Sequence, residues 1–401
     1  MNIDTLSPFG RAGNAPLAGR TILQIVPPAG AGGDEGATLA VAAALAETGA
    51  RALVACDSRQ IAGELQALGG LFVRFSRATK NPLAMALNRL RLQRIIASER
   101  VDLVHARSRW AAWGAVKACR NTKRPLVTSL PADGGRARPR TSFETAVAEG
   151  DIVVASSEFA ARRAESLFQA APARLRVIRP GIDLSKLQPE RVNGRRVADV
   201  RSGWGVAAHE RVVLAPARLA PGRGPQTLIE AAALVKGRGL DDVRFVLAGE
   251  AAKPAFAREL DALAVKCGVK ATVVRVGALA DPPAAFVASA AVVFPAADAE
   301  GVTRASIEAA GVGALTIISD VGPAREIVAA PPHEDAEART GWLVPPREPA
   351  ALAGAIHDAL SLGASAREAV RRRSRAKIAE AYSLERMTRD TLSVYAEALE
   401  R

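Results

Sequence analysis

The sequence predicts an α/β protein made of two doubly wound, parallel-sheet domains that face each other across a cleft. Three observations support this prediction. Short apolar runs alternate with longer helical stretches, which is the rhythm of parallel strands joined by helices. This series starts near residue 21 and starts again near residue 211, after a polar stretch. The 401 residues are too many for one core and sufficient for two.

The first series opens with TILQIV at 21–26, followed by a glycine-rich turn and a helical stretch at 38–49. Buried parallel strands read as continuous apolar runs, because helices cover both faces of the sheet. Runs of this kind recur at 52–56, 71–75, 101–106, 125–130, 151–157 and 175–183. We therefore predict one parallel sheet over this half of the chain.

The second series opens with RVVLAPARL at 211–219, after a polar stretch at 187–210 that contains the predicted linker. It continues with apolar runs at 243–250, 271–279, 290–297, 315–320 and 341–346. From about residue 350 the sequence is helical and rich in arginine. The predicted parts are a disordered lead-in at 1–18, domains at 19–190 and 191–380, and a C-terminal helix at 381–401 that packs back on the N-terminal domain.

Bulk composition limits the function classes. The net charge of +13 has two interpretations: a bias towards arginine and alanine without a function, or attraction to phosphates or to an anionic membrane surface. Aromatic residues make up only 4%, which argues against a nucleic-acid partner that binds by stacking. Three widely spaced cysteines, the lack of a signal peptide and the lack of a spanning apolar run predict a cytoplasmic protein.

The stretch PPAGAGGDEGATLA at 27–40 follows a strand and opens a helix, where backbone N–H groups can hold a phosphate. A dinucleotide fingerprint would need a third glycine at the position of Glu35, so a nicotinamide cofactor is not predicted. We interpret Gly30 as a turn residue. Gly32 and Gly33 are interpreted as points where the backbone approaches a ligand.

Two arginines flank the turn after the first strand of the second series. Arg218 follows the strand, and Arg223 precedes a helix. Their charge-assisted hydrogen bonds suit a diphosphate. Because both guanidinium groups neutralise phosphates, no metal ion is predicted beside the acidic pair Asp298 and Glu300.

Two glutamates eight positions apart, Glu300 and Glu308, flank and enter the helix that begins near Thr303. They could accept hydrogen bonds from pairs of sugar hydroxyls, or Glu300 could simply be a favourable charge at a helix start. His105 ends a strand, and it is either a satisfied core histidine or part of a binding surface with Arg107.

The order of these motifs resembles the family-four retaining glycosyltransferases of GT-B fold, over about residues 20–401. The resemblance rests on the Gly-Gly loop, the R-x4-R spacing of the two arginines, E-x7-E, and GPAREIV at 322–328. It implies two Rossmann-like domains, the first binding the acceptor substrate and the second the nucleotide sugar. Segments at 80–88, 104–113 and 383–395 resemble a proteobacterial branch associated with lipopolysaccharide-core assembly.

Site residues follow from the resemblance by position. The implied catalytic residues are Arg218, Arg223 and Glu300, where Arg223 replaces the family's lysine. Glu308 would hold the ribose. The implied donor-binding set is Gly32, Gly33, Arg218, Arg223, Gly277, Glu300, Gly301, Thr303, Arg304 and Glu308. His105 and Arg107 are candidates on the side of the acceptor substrate. The chain departs from the family at Leu130 or Pro131, where a histidine is usual, and at Thr303, where a glycine is usual.

The predicted function is transfer of a hexose from a UDP-sugar or GDP-sugar to a hydroxyl of a glycan or glycolipid, with retention of configuration and without cofactor or metal. The basic stretch RLRLQR at 89–94 predicts peripheral contact with an anionic inner membrane surface. The alternative, motivated by the missing histidine, is a non-catalytic relative that binds a nucleotide sugar and acts as a partner subunit or sensor.

Overall fold

The fold is taken from a computed structural model of the chain. The structure describes residues 16–26, 34–56, 61–75, 82–131 and 141–401. The chain forms two compact units. One runs to Gly181 and also includes Leu384–Arg401, whereas the other consists of Ile182–Ser383.

The sheet of the first unit contains seven parallel strands: β1 (Thr21–Ile25), β2 (Arg51–Cys56), β3 (Leu71–Arg74), β4 (Leu103–Ala106), β5 (Leu126–Ser129), β6 (Ile152–Ala155) and β7 (Leu175–Val177). Their order is β3-β2-β1-β4-β5-β6-β7, so the direction of strand addition reverses between β1 and β4. Ligands of doubly wound sheets bind at such a point, beyond the carboxyl ends of the strands.

The helices of this part of the first unit are α1 (Asp34–Glu47), α2 (Ala62–Ala67), α3 (Pro82–Ser98), α4 (Arg109–Thr122), α5 (Ser142–Thr145) and α6 (Glu158–Phe168). Local sequence sets where two of them begin. Ser108 and Ser157 have extended backbones, and each side chain accepts a hydrogen bond from the N–H three residues later. Such serine caps satisfy an N–H group that the helix itself leaves unpaired.

The sheet of the second unit contains six parallel strands: β8 (Arg211–Pro216), β9 (Val243–Ala248), β10 (Val273–Val276), β11 (Ala291–Phe294), β12 (Thr316–Ser319) and β13 (Trp342–Val344). Their order is β10-β9-β8-β11-β12-β13. The direction of strand addition here reverses between β8 and β11, which predicts a ligand site beside the end of β8.

The helices of the second unit are α7 (Gly194–Gly203), α8 (Pro225–Gly237), α9 (Pro254–Lys266), α10 (Pro282–Val287), α11 (Arg304–Val312), α12 (Ala324–Ile327), α13 (Pro349–Ser361) and α14 (Ala364–Tyr382). Four of them start with proline, whose missing N–H would be unpaired at that position in any case. None of the helices in the described part of the chain combines the length and the apolar character that crossing a bilayer requires.

The last helix, α15 (Leu384–Glu400), belongs to the first unit. Its apolar face buries Met387, Leu392 and Tyr395 in one cluster with Ile22 of β1 and Leu45 of α1. A bidentate ion pair between Arg176 and Glu397 adds to this packing. The helix is thus held by a continuous apolar stripe and by charged groups at its end.

Both borders of the second unit differ from the predicted ones, because it consists of Ile182–Ser383 rather than of residues 191–380. The second unit begins at Ile182 rather than at residue 191, because Ile182 and Leu187 are buried against Gly311 and Ile378 of that unit. The predicted lead-in at 1–18 lies mostly outside the described residues, but Leu17 near its end is buried in the first unit.

Candidate functional site

A cavity of about 480 Å³ opens at the carboxyl end of the second sheet. It lies beyond the ends of β8, β9 and β10, beside the point where strand addition reverses. Helices α10 and α11 complete its wall. The lining residues are Pro216, Ala217, Arg218, Ala248, Gly249, Glu250, Ala251, Ala278, Leu279, Pro282, Phe286, Ala305 and Glu308.

The floor of this cavity depends on Gly249, which follows β9. Its φ angle of 157° and the closeness of the neighbouring loop exclude a side chain. A Cβ atom at Gly249 would lie 2.2 Å from the carbonyl oxygen of Ala217. The loops after β8 and β9 can therefore approach each other only with glycine here.

Arg218 and Arg223 lie on the loop after β8, and neither has an ion-pair partner among the described residues. Arg218 is exposed and lines the cavity. Arg223 is half-buried, and its Nη1 atom is buried without a hydrogen-bond partner in the described part of the chain. A buried donor of this kind costs about 1–3 kcal/mol when it stays unpaired.

The loop that carries Arg223 is fastened to the loop after β11. The N–H of Ala297 donates to the carbonyl of Gly222 at 2.9 Å. Gly224 has a φ of 75°, and a Cβ atom there would lie 1.7 Å from the carbonyl oxygen of Pro295. This contact fixes Arg223 beside Gly301, where a Cβ atom would be 3.6 Å from Nη1 of Arg223.

The two predicted glutamates have different surroundings. Glu308, on α11, lines the cavity, and its Oε1 atom accepts a hydrogen bond from Nε of Arg304 at 2.8 Å. Glu300 lies on a single turn of 3-10 helix, is exposed and does not line the cavity. The prediction did not foresee that Arg304 pairs with Glu308.

Gly301, Thr303 and Gly277, the other predicted donor residues of the second unit, do not line the cavity. Gly301 is buried, and a Cβ atom there would lie 2.1 Å from Cβ of Ala296, so glycine is required by packing. Thr303 precedes α11, and its carbonyl accepts the hydroxyl of Ser306. Gly277 is exposed, and the next two residues, Ala278 and Leu279, line the cavity instead. Gly32 and Gly33 lie outside the described residues.

Sequence reasoning missed the contribution of Gly249, Glu250 and Phe286. The stretch VRFVLAGE ends with a glycine and an acidic residue directly after a strand. Glycines or charged residues after other predicted strands had indicated the site there, so this pattern could have indicated Gly249 and Glu250. Phe286 carried no such signal, because an aromatic residue in a short helix reads as core. No three His, Cys, Asp or Glu side chains come together within the described ranges in the way metal ligands would.

His105 lies in the first unit and is only 4% exposed. Its Nδ1 atom is 2.7 Å from Oη of Tyr395, and its Nε2 atom is 2.8 Å from Oγ of Ser129. Burial, reinforced by the nearby Arg107, holds the pKa of His105 well below its usual value. Both ring nitrogens have hydrogen-bond partners, and the side chain is buried. His105 therefore does not present a ring nitrogen to an acceptor substrate.

Arg107 follows β4 and is held in place by two polar neighbours. Its Nη1 atom donates to Oε1 of Gln24 at 3.3 Å and to Oγ1 of Thr38 at 3.1 Å. Gln24 is fully buried, and its Nε2 atom has no partner within the described residues. The carboxyl ends of β1 and β4 are thus filled by a polar cluster.

Comparison with known proteins identifies the family. Residues 199–377 match the model described as glycosyl transferases group 1, and residues 31–186 match the model described as glycosyltransferase family 4. The D-inositol 3-phosphate glycosyltransferase of Jonesia denitrificans is 30% identical over 271 residues, which make up 66% of this chain and 61% of that protein.

Two solved structures share the fold. A glycosyltransferase from Rickettsia africae has 24% identity and a TM-score of 0.82, with 96% of this chain and 99% of that chain covered. HepE from Anabaena, in complex with UDP and glucose, has 20% identity and a TM-score of 0.77, with 94% and 100% covered. Both Rossmann-like units therefore conform to the GT-B fold. The chain belongs to a family of transferases, the group 1 glycosyltransferases.

Proposed function

We propose that this chain transfers a hexose from a nucleotide diphosphate sugar to a hydroxyl of a glycan or glycolipid, with retention of configuration. One observation carries the proposal. The cavity at the carboxyl end of the second sheet is lined by Arg218 and Glu308, and the adjoining loop holds Arg223, whose buried Nη1 has no hydrogen-bond partner among the described residues. A diphosphate linked to a ribose would complement these groups.

The two arginines are the proposed ligands of the diphosphate. A phosphate oxygen that accepts from Nη1 of Arg223 would remove the cost of its unpaired N–H. Arg218 is exposed and lines the cavity, where it would contact the second phosphate. The N-terminus of α8, which follows Arg223 directly, adds a partial positive charge. These groups would stabilise the charge that grows on the leaving diphosphate.

Glu308 is the proposed ligand of the ribose. Its pairing with Arg304 occupies Oε1 and leaves Oε2 able to accept from the sugar hydroxyls. The ion pair would also fix the direction of the carboxylate. The apolar wall of the cavity, formed by Ala278, Leu279, Pro282 and Phe286, suits a nucleobase.

The proposed donor is a UDP-sugar or a GDP-sugar, without metal or cofactor. HepE is in complex with UDP and glucose, so UDP-glucose is the first donor to test. The proposed acceptor substrate is a glycan or glycolipid with a free hydroxyl. It would belong to the assembly of a cell-surface polysaccharide such as lipopolysaccharide. The relative from Jonesia denitrificans is named for D-inositol 3-phosphate, which adds a phosphorylated polyol to the panel of acceptor substrates.

A contact with an anionic membrane surface at the cytoplasmic face is part of the proposal. On α3, Leu87 and Leu90 are 65% and 44% exposed, and Arg91 and Arg94 are exposed beside them. Residues at this spacing share one face of a helix. Exposed leucines flanked by arginines suit the boundary of an anionic bilayer. Sedimentation with anionic vesicles, compared with the Leu87→Ala/Leu90→Ala variant, tests this contact.

The proposed transfer is tested by a thermal-shift panel of UDP-sugars and GDP-sugars, followed by transfer and donor-hydrolysis assays. Arg218→Ala and Glu308→Ala should weaken donor binding and reduce turnover. Arg238→Ala and Glu259→Ala are matched controls, because both residues are exposed in the same unit and lie outside the cavity. Turnover that is equal in all four variants would refute the assignment. Tight donor binding without turnover on any acceptor substrate would favour the non-catalytic alternative.

A further inference from the structure

Three side chains form a chain of hydrogen bonds in the first unit. Tyr395 of α15 contacts Nδ1 of His105 at 2.7 Å, and Nε2 of His105 contacts Oγ of Ser129 at 2.8 Å. Tyr395 is fully buried, His105 is nearly so, and Ser129 at the end of β5 is half-buried. This series of hydrogen bonds thus runs from the core towards the carboxyl end of the sheet.

The direction of the first hydrogen bond follows from counting protons. Burial raises the pKa of Tyr395, so the phenol keeps its proton. His105 is the only hydrogen-bond partner of this hydroxyl among the described residues. If Nδ1 carried a proton and donated it, the buried O–H of Tyr395 would have no acceptor, which is costly. Tyr395 therefore donates, and Nδ1 accepts.

The second hydrogen bond is then fixed as well. A neutral imidazole with an accepting Nδ1 carries its proton on Nε2. Burial and the nearby Arg107 keep His105 neutral, because both disfavour its charged form. Nε2–H donates to Oγ of Ser129. The hydroxyl proton of Ser129 points elsewhere, and no described residue accepts it.

Ser129 ends β5, on the side of the sheet where doubly wound domains bind ligands. The next residue, Leu130, is buried and its N–H donates to the carbonyl of Val154. Ser129 is thus the last polar side chain of this strand. Its orientation is set by two buried residues, whereas an isolated serine hydroxyl can rotate to donate or to accept.

We propose that Ser129 binds the acceptor substrate as an obligatory hydrogen-bond donor, oriented by His105 and Tyr395. This inference rests on the proposed function of the chain. The atom that it contacts is an oxygen with a free lone pair on the glycan or glycolipid. His105 and Tyr395 are positioning residues, since they act through Ser129.

The first test is the tautomer of His105, read from nitrogen-15 chemical shifts of the imidazole in the full-length protein. The expected result is a proton on Nε2 in wild type. The Tyr395→Phe variant removes the donor to Nδ1, so Nε2 becomes free to accept from Ser129. A proton on Nδ1 in wild type would overturn the proposal, and this readout does not require turnover.

The second test compares the Michaelis constants for the two substrates. Ser129→Ala should raise the constant for the acceptor substrate about 3- to 10-fold and leave donor hydrolysis unchanged, as expected for one lost hydrogen bond. Tyr395→Phe should raise it less. The double variant should be no worse than Ser129→Ala, because Tyr395 acts only through Ser129. Ser166→Ala is the control, since Ser166 is an exposed serine of the same unit.

The outcomes separate this inference from the proposed function. Wild-type protein that neither binds nor turns over any donor would overturn the proposed function, and this inference with it. An active wild type whose Ser129→Ala variant keeps its Michaelis constant for the acceptor substrate would overturn this inference alone. Additive losses in the double variant, together with equal losses in donor hydrolysis, would indicate a merely structural network.

Discussion

The polar side chains at the carboxyl ends of the strands have different partners in the two units. In the second unit, the loop beyond β8 carries two arginines without ion-pair partners among the described residues, beside a cavity of about 480 Å³. In the first unit, the ends of β1, β4 and β5 carry Gln24, His105 and Ser129. Among the described residues, Tyr395 of α15 contacts His105, and Arg107, which contacts Gln24, also donates to Thr38 of α1.

The difference shows what a shared topology leaves undecided. Both sheets are parallel, and in both the direction of strand addition reverses next to the first strand. We call the carboxyl end of the second sheet the open edge, because Arg218 and Arg223 there have no ion-pair partners among the described residues. We call the carboxyl end of the first sheet the closed edge, because its described polar side chains Gln24, His105 and Ser129 hydrogen-bond to other side chains.

The strongest test of the open edge is Arg223→Ala. Removal of a preorganised cation beside a leaving group should reduce kcat by roughly 10²- to 10³-fold. Arg223→Lys should lose less, because it keeps the charge but not the planar fork. Steady-state kinetics with a saturating donor measure this effect, with Arg238→Ala as the control. A kcat within a factor of two of wild type would show that the unpaired nitrogen has no catalytic use.

The shape of the open edge is tested by Gly249→Ala. A Cβ atom 2.2 Å from the carbonyl oxygen of Ala217 forces the loops after β8 and β9 apart. We expect a loss of about 1–3 kcal/mol in the free energy of unfolding and weaker donor binding. Denaturant unfolding and calorimetric titration measure the two quantities. Gly237→Ala is the matched control, because its Cβ atom would meet open space. Equal behaviour of the two variants would contradict the prediction.

The closed edge should respond to pH through His105. Its folded-state pKa lies below the unfolded value, so the unfolded state binds more protons in acid. Above about pH 6.5 His105 is neutral in both states, and the full free energy of unfolding is present. As the pH falls below this value, the free energy of unfolding decreases by up to about 1.4 kcal/mol per pH unit. Denaturant unfolding between about pH 5 and 6.5 measures this slope, above the range in which carboxylates titrate. A His105→Gln variant with the same slope would assign it to other groups.

Arg304→Ala tests the ion pair between Arg304 and Glu308 at the open edge. The side chains of Arg304 and Glu308 are 34% and 25% exposed and four positions apart on one helix, so Arg304→Ala should cost only about 0.3–0.5 kcal/mol in stability. The Michaelis constant for the donor should rise a few-fold, because the carboxylate of Glu308 loses its fixed direction. Thermal unfolding and donor titration separate the two effects. A stability loss above about 2 kcal/mol would mean that the pair is structural rather than an aid to binding.

The sequence was sufficient to predict the succession of strands and helices along the chain. Continuous apolar runs marked each strand core because buried parallel strands have no polar face. Arg218 and Glu308, chosen from motifs far apart in the chain, line the same cavity. The roles of the predicted residues remain predictions for the experiments above.

Only the tertiary structure decided which hydrogen-bond or ion-pair partner each polar side chain has. Arg304 could be recognised as a neighbour of Glu308, but the choice between an ion pair and a free carboxylate depends on side-chain packing. The partners of His105 are separated from it by 24 and 290 residues, and no local pattern links positions so distant. Sequence periodicity reports which face of a strand or helix is buried. Hydrogen bonds between elements depend on how those elements meet, and that is fixed only when the whole core packs.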